Sequence, residues 1–159
     1  MKTLMEQWKS YLDEVERWPD FASSQEEIQK NVNYFYYDHA PEKGTRKELG
    51  KWFTDEGKEY DLVMYDRPPS RLYFLVSNDE PKAYVAISPF ADGWAVGNVR
   101  KTSGGFKISE FYEYLIQQLG ILYSDKAQTS AGRKIWKHIP HEEVPTKDGG
   151  TRLKATRND

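Results

Sequence analysis

Residues 100–105, Arg100-Lys101-Thr102-Ser103-Gly104-Gly105, gather two cations, two hydroxyls and two glycines just ahead of a helical pattern. In that pattern Ile108, Phe111, Tyr112, Leu115 and Leu119 recur on one face. The first turn of such a helix leaves backbone N–H groups without intrahelical partners. Those groups, together with the positive end of the helix dipole, favour an anion, and Lys107 adds charge beside them. The chemistry on offer is the binding of a phosphate or pyrophosphate group. The plainer alternative is that Ser103 caps the helix and the glycines only permit a tight turn.

Other constellations offer less. His138 and His141 stand three apart, but Pro140 lies between them and breaks the helical geometry that spacing needs, so no metal site is expected. Ser124-Asp125 joins a hydroxyl to a carboxylate, yet neighbouring residues on a strand face opposite ways and no histidine stands at a matching distance. The pair is expected to be structural, with Asp125 accepting N–H bonds from the following turn and Thr129 capping the next helix. Arg133, Lys134, Lys137, Arg152, Lys154 and Arg157 have the charge to meet phosphates, but no known module or exposed aromatic platform accompanies them. A nucleic-acid partner is not expected.

The elements that must position these residues follow from pattern. Trp94–Val99 alternates as a strand, Gly120 stops the Ile108 helix, and Ile121–Tyr123 reads as another strand. Thr129 or Ser130 caps a helix carrying Gly132, Ile135, Trp136 and Ile139 on one face. Upstream, Arg71–Ser77 and Lys82–Ser88 join the Trp94 strand in an antiparallel meander, and Glu142–Pro145 with Thr151–Ala155 closes the chain as a hairpin.

The front of the chain reads as mainly helical. Leu4, Trp8, Tyr11, Leu12 and Val15 form a stripe that ends at Trp18-Pro19. A capping box at Ser24 and Glu27 opens a second helix through Ile28, Val32, Phe35 and Tyr36, ending near His39 before Pro41. A second such box at Thr45 and Glu48 predicts a short third helix with Leu49, Trp52 and Phe53, stopped by Gly57. Tyr60–Tyr65 then reads as an edge strand and residues 66–70 as a rigid loop. The run Tyr34-Phe35-Tyr36-Tyr37 cannot turn every ring to one core. Tyr34, Tyr36 and Tyr37 are therefore candidates for a partner surface, unless neighbouring loops cover them.

Composition bounds the rest. A chain of 159 residues with 14% aromatic side chains supports one domain, residues 1–159, with a helical part over 1–57 and a sheet-and-helix part over 60–159. Net charge is only −2, but residues 1–69 carry 15 acidic and 10 basic side chains against 10 and 13 in residues 70–159. With no cysteine there is no disulfide, thiolate metal site or thiol nucleophile. The first residues lack the apolar stretch of a signal peptide, and no run approaches the ~18 apolar residues of a membrane span, so a cytoplasmic protein without membrane contact is expected.

From Arg71 onward the chain resembles the GNAT-type acetyltransferase fold, in a form associated with bacteriophage proteins: Ser124-Asp125, Gln128-Thr129, Gly132 and Trp136 match its last strand and helix. The resemblance implies an α+β fold, with a mixed, mainly antiparallel sheet flanked by helices and an extra helical region in front. It also implies that Arg100, Ser103, Gly104 and Gly105 hold the pyrophosphate of acetyl-CoA. In that family the loop alternates its glycines, whereas here they are adjacent. The family's last helix presents a tyrosine that protonates the leaving thiolate; Trp136 stands there instead, and an indole N–H is no general acid, which leaves Tyr123 as the acid. Two functions stay open. One is a non-catalytic phage-type protein that binds a host or phage macromolecule, as in host takeover or counter-defence, with no cofactor. The other is an acetyl-CoA-dependent N-acetyltransferase acting on an amine.

Overall fold

The computed structural model describes residues 25–102, 105–125, 130–147 and 149–158. The expected Leu4–Val15 helix, Ser24, Thr129 and the pair Ser103 and Gly104 lie outside the described residues.

Helix α1 (Gln25–Asn33) runs into a π-helical turn (Tyr34–His39) and then α2 (Ala40–Lys43). The helical path was expected to stop before Pro41, yet it continues to Lys43. The wide turn lets the Ala40 N–H reach back to the Phe35 carbonyl, and Pro41 falls in the first turn of α2, where a missing N–H costs nothing.

Eight strands then form one sheet in the order β1-β2-β3-β4-β5-β6-β8-β7. They are β1 (Thr45–Phe53), β2 (Glu59–Arg67), β3 (Ser70–Ser77), β4 (Glu80–Phe90), β5 (Gly93–Lys101), β6 (Ile121–Tyr123), β7 (Glu142–Pro145) and β8 (Thr151–Thr156). Every pairing is antiparallel except β5 with β6, which α3 (Ile108–Leu119) connects. The last helix, α4 (Ser130–Trp136), precedes the β7–β8 hairpin.

Two expectations are corrected here. The third helix is strand β1, so the helical part of the described residues ends at Lys43. The spacing of Thr45 and Glu48 imitates a capping box, but the segment places Trp52 alone in the core and satisfies its backbone by pairing with β2. A bulge between Glu48 and Gly50 adjusts the register. As a result β2 is not an edge strand: it lies between β1 and β3, and β1 is the edge.

Alternation along the strands gives the sheet two apolar faces, each covered by helix. On one, Leu62, Met64, Tyr73, Leu75, Val85 and Ile87 meet Phe111, Tyr112 and Leu115 of α3. On the other, Val63, Tyr65, Leu72, Phe74 and Tyr84 meet Ile28, Val32, Tyr36 and Ala40. No helix of the described residues is long and apolar enough to cross a membrane.

Candidate functional site

The loop from β5 to α3 starts firmly anchored. Both the peptide N–H and the hydroxyl of Thr102 donate to the Lys82 carbonyl, at 2.9 and 3.1 Å. Gly105 has φ +86°, and a Cβ there would run into the Tyr60 hydroxyl, with Lys58 Nζ 3.1 Å away. Only glycine fits, because the backbone closes onto β2. Phe106 then packs edge-on to Trp52 and Tyr60. At the start of α3 the Lys107 N–H donates to Glu110 Oε2 at 3.1 Å, so a carboxylate of the chain already lies in the field of the helix N-terminus.

Arg100 is not beside that loop. The β4–β5 register steps from Ile87↔Val96 to Ala86↔Asn98, so Gly97 is an extra residue in β5. The bulge reverses the parity of everything beyond it, and Arg100 pairs with Tyr84 on the α1 face. There Arg100 Nη1 donates to Asn98 Oδ1 at 2.9 Å and to the Val99 carbonyl at 2.8 Å, while Asn98 Nδ2 donates to the Tyr84 hydroxyl at 3.0 Å. Burial pushes the Tyr84 phenol up to about 12. Arg100 and Gly105, expected to share one anion, lie on opposite faces of the sheet.

Tyr123 is 4% exposed, and its hydroxyl donates to the Asp92 carboxylate. Lys154 Nζ lies 3.3 Å from Asp92 Oδ2 and 5.7 Å from the centre of the Tyr123 ring, with Phe90 edge-on to the same ring. Burial raises the Tyr123 phenol, and the Asp92 contact raises it further. Asp92 is held below the usual carboxylate range, first by the Tyr123 hydroxyl and then by Lys154. A depressed carboxyl stabilises the fold above its unfolded value, about 3.9, and the benefit disappears as pH falls through the folded value. Tyr123→Phe is therefore expected to be less stable than the parent at pH 7, with the gap narrowing in urea denaturation as pH falls below the ordinary carboxylate range. A gap that stays constant through that fall in pH would contradict the assignment.

Trp136 is 3% exposed and packs on Tyr112 and His141. The buried Ser124 hydroxyl accepts the Leu153 N–H at 2.9 Å, which extends the β6–β8 pairing. Among the described residues no cluster of three His, Asp or Glu is placed to hold a metal.

The aromatic run divides. Tyr36 is buried against Tyr65 and Phe74 and accepts a bond from Arg46 Nη1 at 2.8 Å, so it is not on the surface. Phe35 packs on Tyr84. Tyr34 and Tyr37 stay 51% and 54% exposed. Tyr37, whose hydroxyl donates to the Asp79 carbonyl at 3.1 Å, lines a groove of about 450 Å³ with Arg46, Glu48, Lys51 and Asp61. The groove reaches from the edge strand β1 across β2 to Val76 of β3, and on β1 itself Leu49 and Phe53 are 42% and 59% exposed. Sequence reasoning missed that edge, and the charged alternation of Arg46, Glu48 and Lys51 beside Leu49 was its one signal.

No protein-family model matches the chain, and no curated protein matches it. Among solved structures, it is similar to the ribosomal-protein-S18-alanine N-acetyltransferase from Escherichia coli, at 14% identity and a TM-score of 0.40, over 58% of this chain and 73% of that one.

Proposed function

We propose that this chain is a GNAT-like, phage-type cytoplasmic protein that binds a host or phage protein along the outer edge of β1 and transfers no acyl group. The observation that carries the proposal is β1 itself: a nine-residue edge strand with Trp52 as its one buried side chain and no strand paired to its outer side among the described residues. An edge strand presents a row of backbone donors and acceptors that an extended segment of another protein can complete. Leu49 and Phe53, both exposed on β1, supply apolar contact beside that row. The Glu48–Gly50 bulge and Lys51, paired with Asp61 and Glu59, guard the edge against pairing with itself. Host takeover or counter-defence is the biological role such docking would serve.

The test compares proteins captured from bacterial lysate by the parent and by a Leu49→Asp, Phe53→Asp variant. Both residues are exposed, so the variant keeps its fold, which a thermal midpoint checks. A protein held by the parent and lost by the variant is the expected result. Identical capture by both overturns the proposal.

A second function, acetyl-CoA-dependent N-acetyl transfer, draws on one observation. β5 and β6 pair only through Trp94↔Leu122 and Ala95↔Tyr123, so β5 from Val96 onward has no partner on that side among the described residues. An open strand edge suits the amide-bearing arm of that cofactor. The other groups fit it poorly: Arg100 lies on the opposite face from Gly105, Glu110 occupies the α3 N-terminus, and the Tyr123 hydroxyl is engaged by Asp92.

A further inference from the structure

At the far end of the sheet from β1, a cavity of about 650 Å³ opens between α4 and the β7–β8 hairpin. Arg133, Lys134, Lys137 and Arg152 line it, and Glu143 is the one carboxylate among its lining residues. Such a concentration of cations contrasts with a chain whose net charge is −2. Neither the two α4 cations, Arg133 and Lys134, nor Lys137 just past the helix has an ion pair among the described residues.

Arg152 is fixed before any ligand arrives. Its Nη1 donates to the Ser124 carbonyl at 3.1 Å, and its guanidinium lies 4.2 Å from the centre of the Phe90 ring. Its Nε is buried and has no hydrogen-bond partner. A buried donor without an acceptor is costly. A held guanidinium also loses little freedom on binding and matches the geometry of phosphate oxygens.

We infer that this cavity binds the phosphate groups of a small anionic ligand, a diphosphate or a diphosphate ester. Size and charge layout select this class. The volume falls in the range of small-molecule sites, about 300–1,000 Å³. Arg133, Lys134 and Lys137 span the end of α4 and the residue after it, a rise of about 6 Å, and not a stripe long enough to follow a nucleic-acid backbone. Trp136, the one Phe, Tyr or Trp in the lining, is buried and offers no stacking platform for bases. This inference is independent of the β1 edge and of the protein partner proposed for it.

Titration calorimetry of the full chain with inorganic pyrophosphate, and in parallel with adenosine diphosphate, tests it. The expected result is saturable 1:1 binding that weakens as salt is raised. A ligand set by the ester shows tighter binding of adenosine diphosphate, and one set by the free anion shows equal binding; either supports the site. An Arg133→Gln, Lys137→Gln variant, altered only at exposed positions, is expected to lose about tenfold or more in affinity, because charge-assisted hydrogen bonds are lost. Lys30→Gln, on α1, should bind like the parent. Absence of saturation with both probes overturns the inference, as does an equal loss in Lys30→Gln. A short single-stranded oligonucleotide that displaces pyrophosphate and binds more tightly would reassign the cavity and overturn it too.

Discussion

Phe111→Ala is expected to lower the free energy of unfolding by about 3–5 kcal/mol. Phe111 is one of the rings through which α3 packs on the sheet. It is 1% exposed, edge-on to Trp52 at 5.4 Å between ring centres, 6.1 Å from Tyr73 and stacked on Tyr114 at 5.6 Å. Truncation removes the buried area and leaves a cavity walled by rings on both strand and helix, which cannot collapse together. Small domains have about 5–15 kcal/mol in total, so the variant is left marginal. Urea denaturation followed by circular dichroism measures the loss. A change below about 1 kcal/mol would show that α3 is not anchored there.

Gly93→Ala is expected to act on one strand junction. Gly93 opens β5, and a Cβ built on it would lie 2.7 Å from both the Cβ and the carbonyl oxygen of Ile121. Neither atom belongs to the free end of a flexible chain, so β6 itself must shift. β6 meets β5 through only two residue pairs, and Tyr123 is in one of them. The substitution should cost about 1–3 kcal/mol, the usual range for overpacking. Hydrogen exchange should localise the damage, with Leu122 and Tyr123 amides losing protection. Gly97→Ala is the control, since the nearest atom to its Cβ would be the Ala86 carbonyl oxygen at 3.8 Å. Equal losses at both positions would refute the junction argument.

How much of this was legible in the sequence depended on how far each feature reaches along the chain. The α3 stripe was legible because its period is local: Ile108, Phe111, Tyr112 and Leu115 are all buried. Strands β3, β4 and β5 were legible because short turns separate apolar runs, and the three residues of β6 stood out after Gly120. Strand β1 was not. An edge strand that buries only Trp52 has no alternation to detect, and the spacing of Thr45 and Glu48 imitated a helix start.

The candidate site was hidden for a different reason. Which face Arg100 takes depends on the single extra residue at Gly97, and a shift of one residue reverses every side chain after it. The engagement of Tyr123 depends on Asp92, 31 residues away in the chain, and on Lys154 from the closing hairpin. Neither contact leaves a mark in local pattern. Tyr36 shows the same limit: its neighbours Tyr34 and Tyr37 remain exposed, while the π-helical turn directs it into the sheet.

The central claim is that the frame binds a protein partner and that its groups are not arranged for acyl transfer. The most direct measurement is the thermal midpoint of the full chain with excess acetyl-CoA, set beside the same concentration of adenosine 5′-diphosphate, which carries the same diphosphate linkage. A ligand that binds only the folded state raises that midpoint by mass action. The account predicts that the whole cofactor raises it no further than adenosine diphosphate, since the diphosphate they share is the part that the cavity beside α4 is proposed to hold. A clearly larger rise with acetyl-CoA, abolished by substitution along Val96–Lys101 of β5, would contradict it.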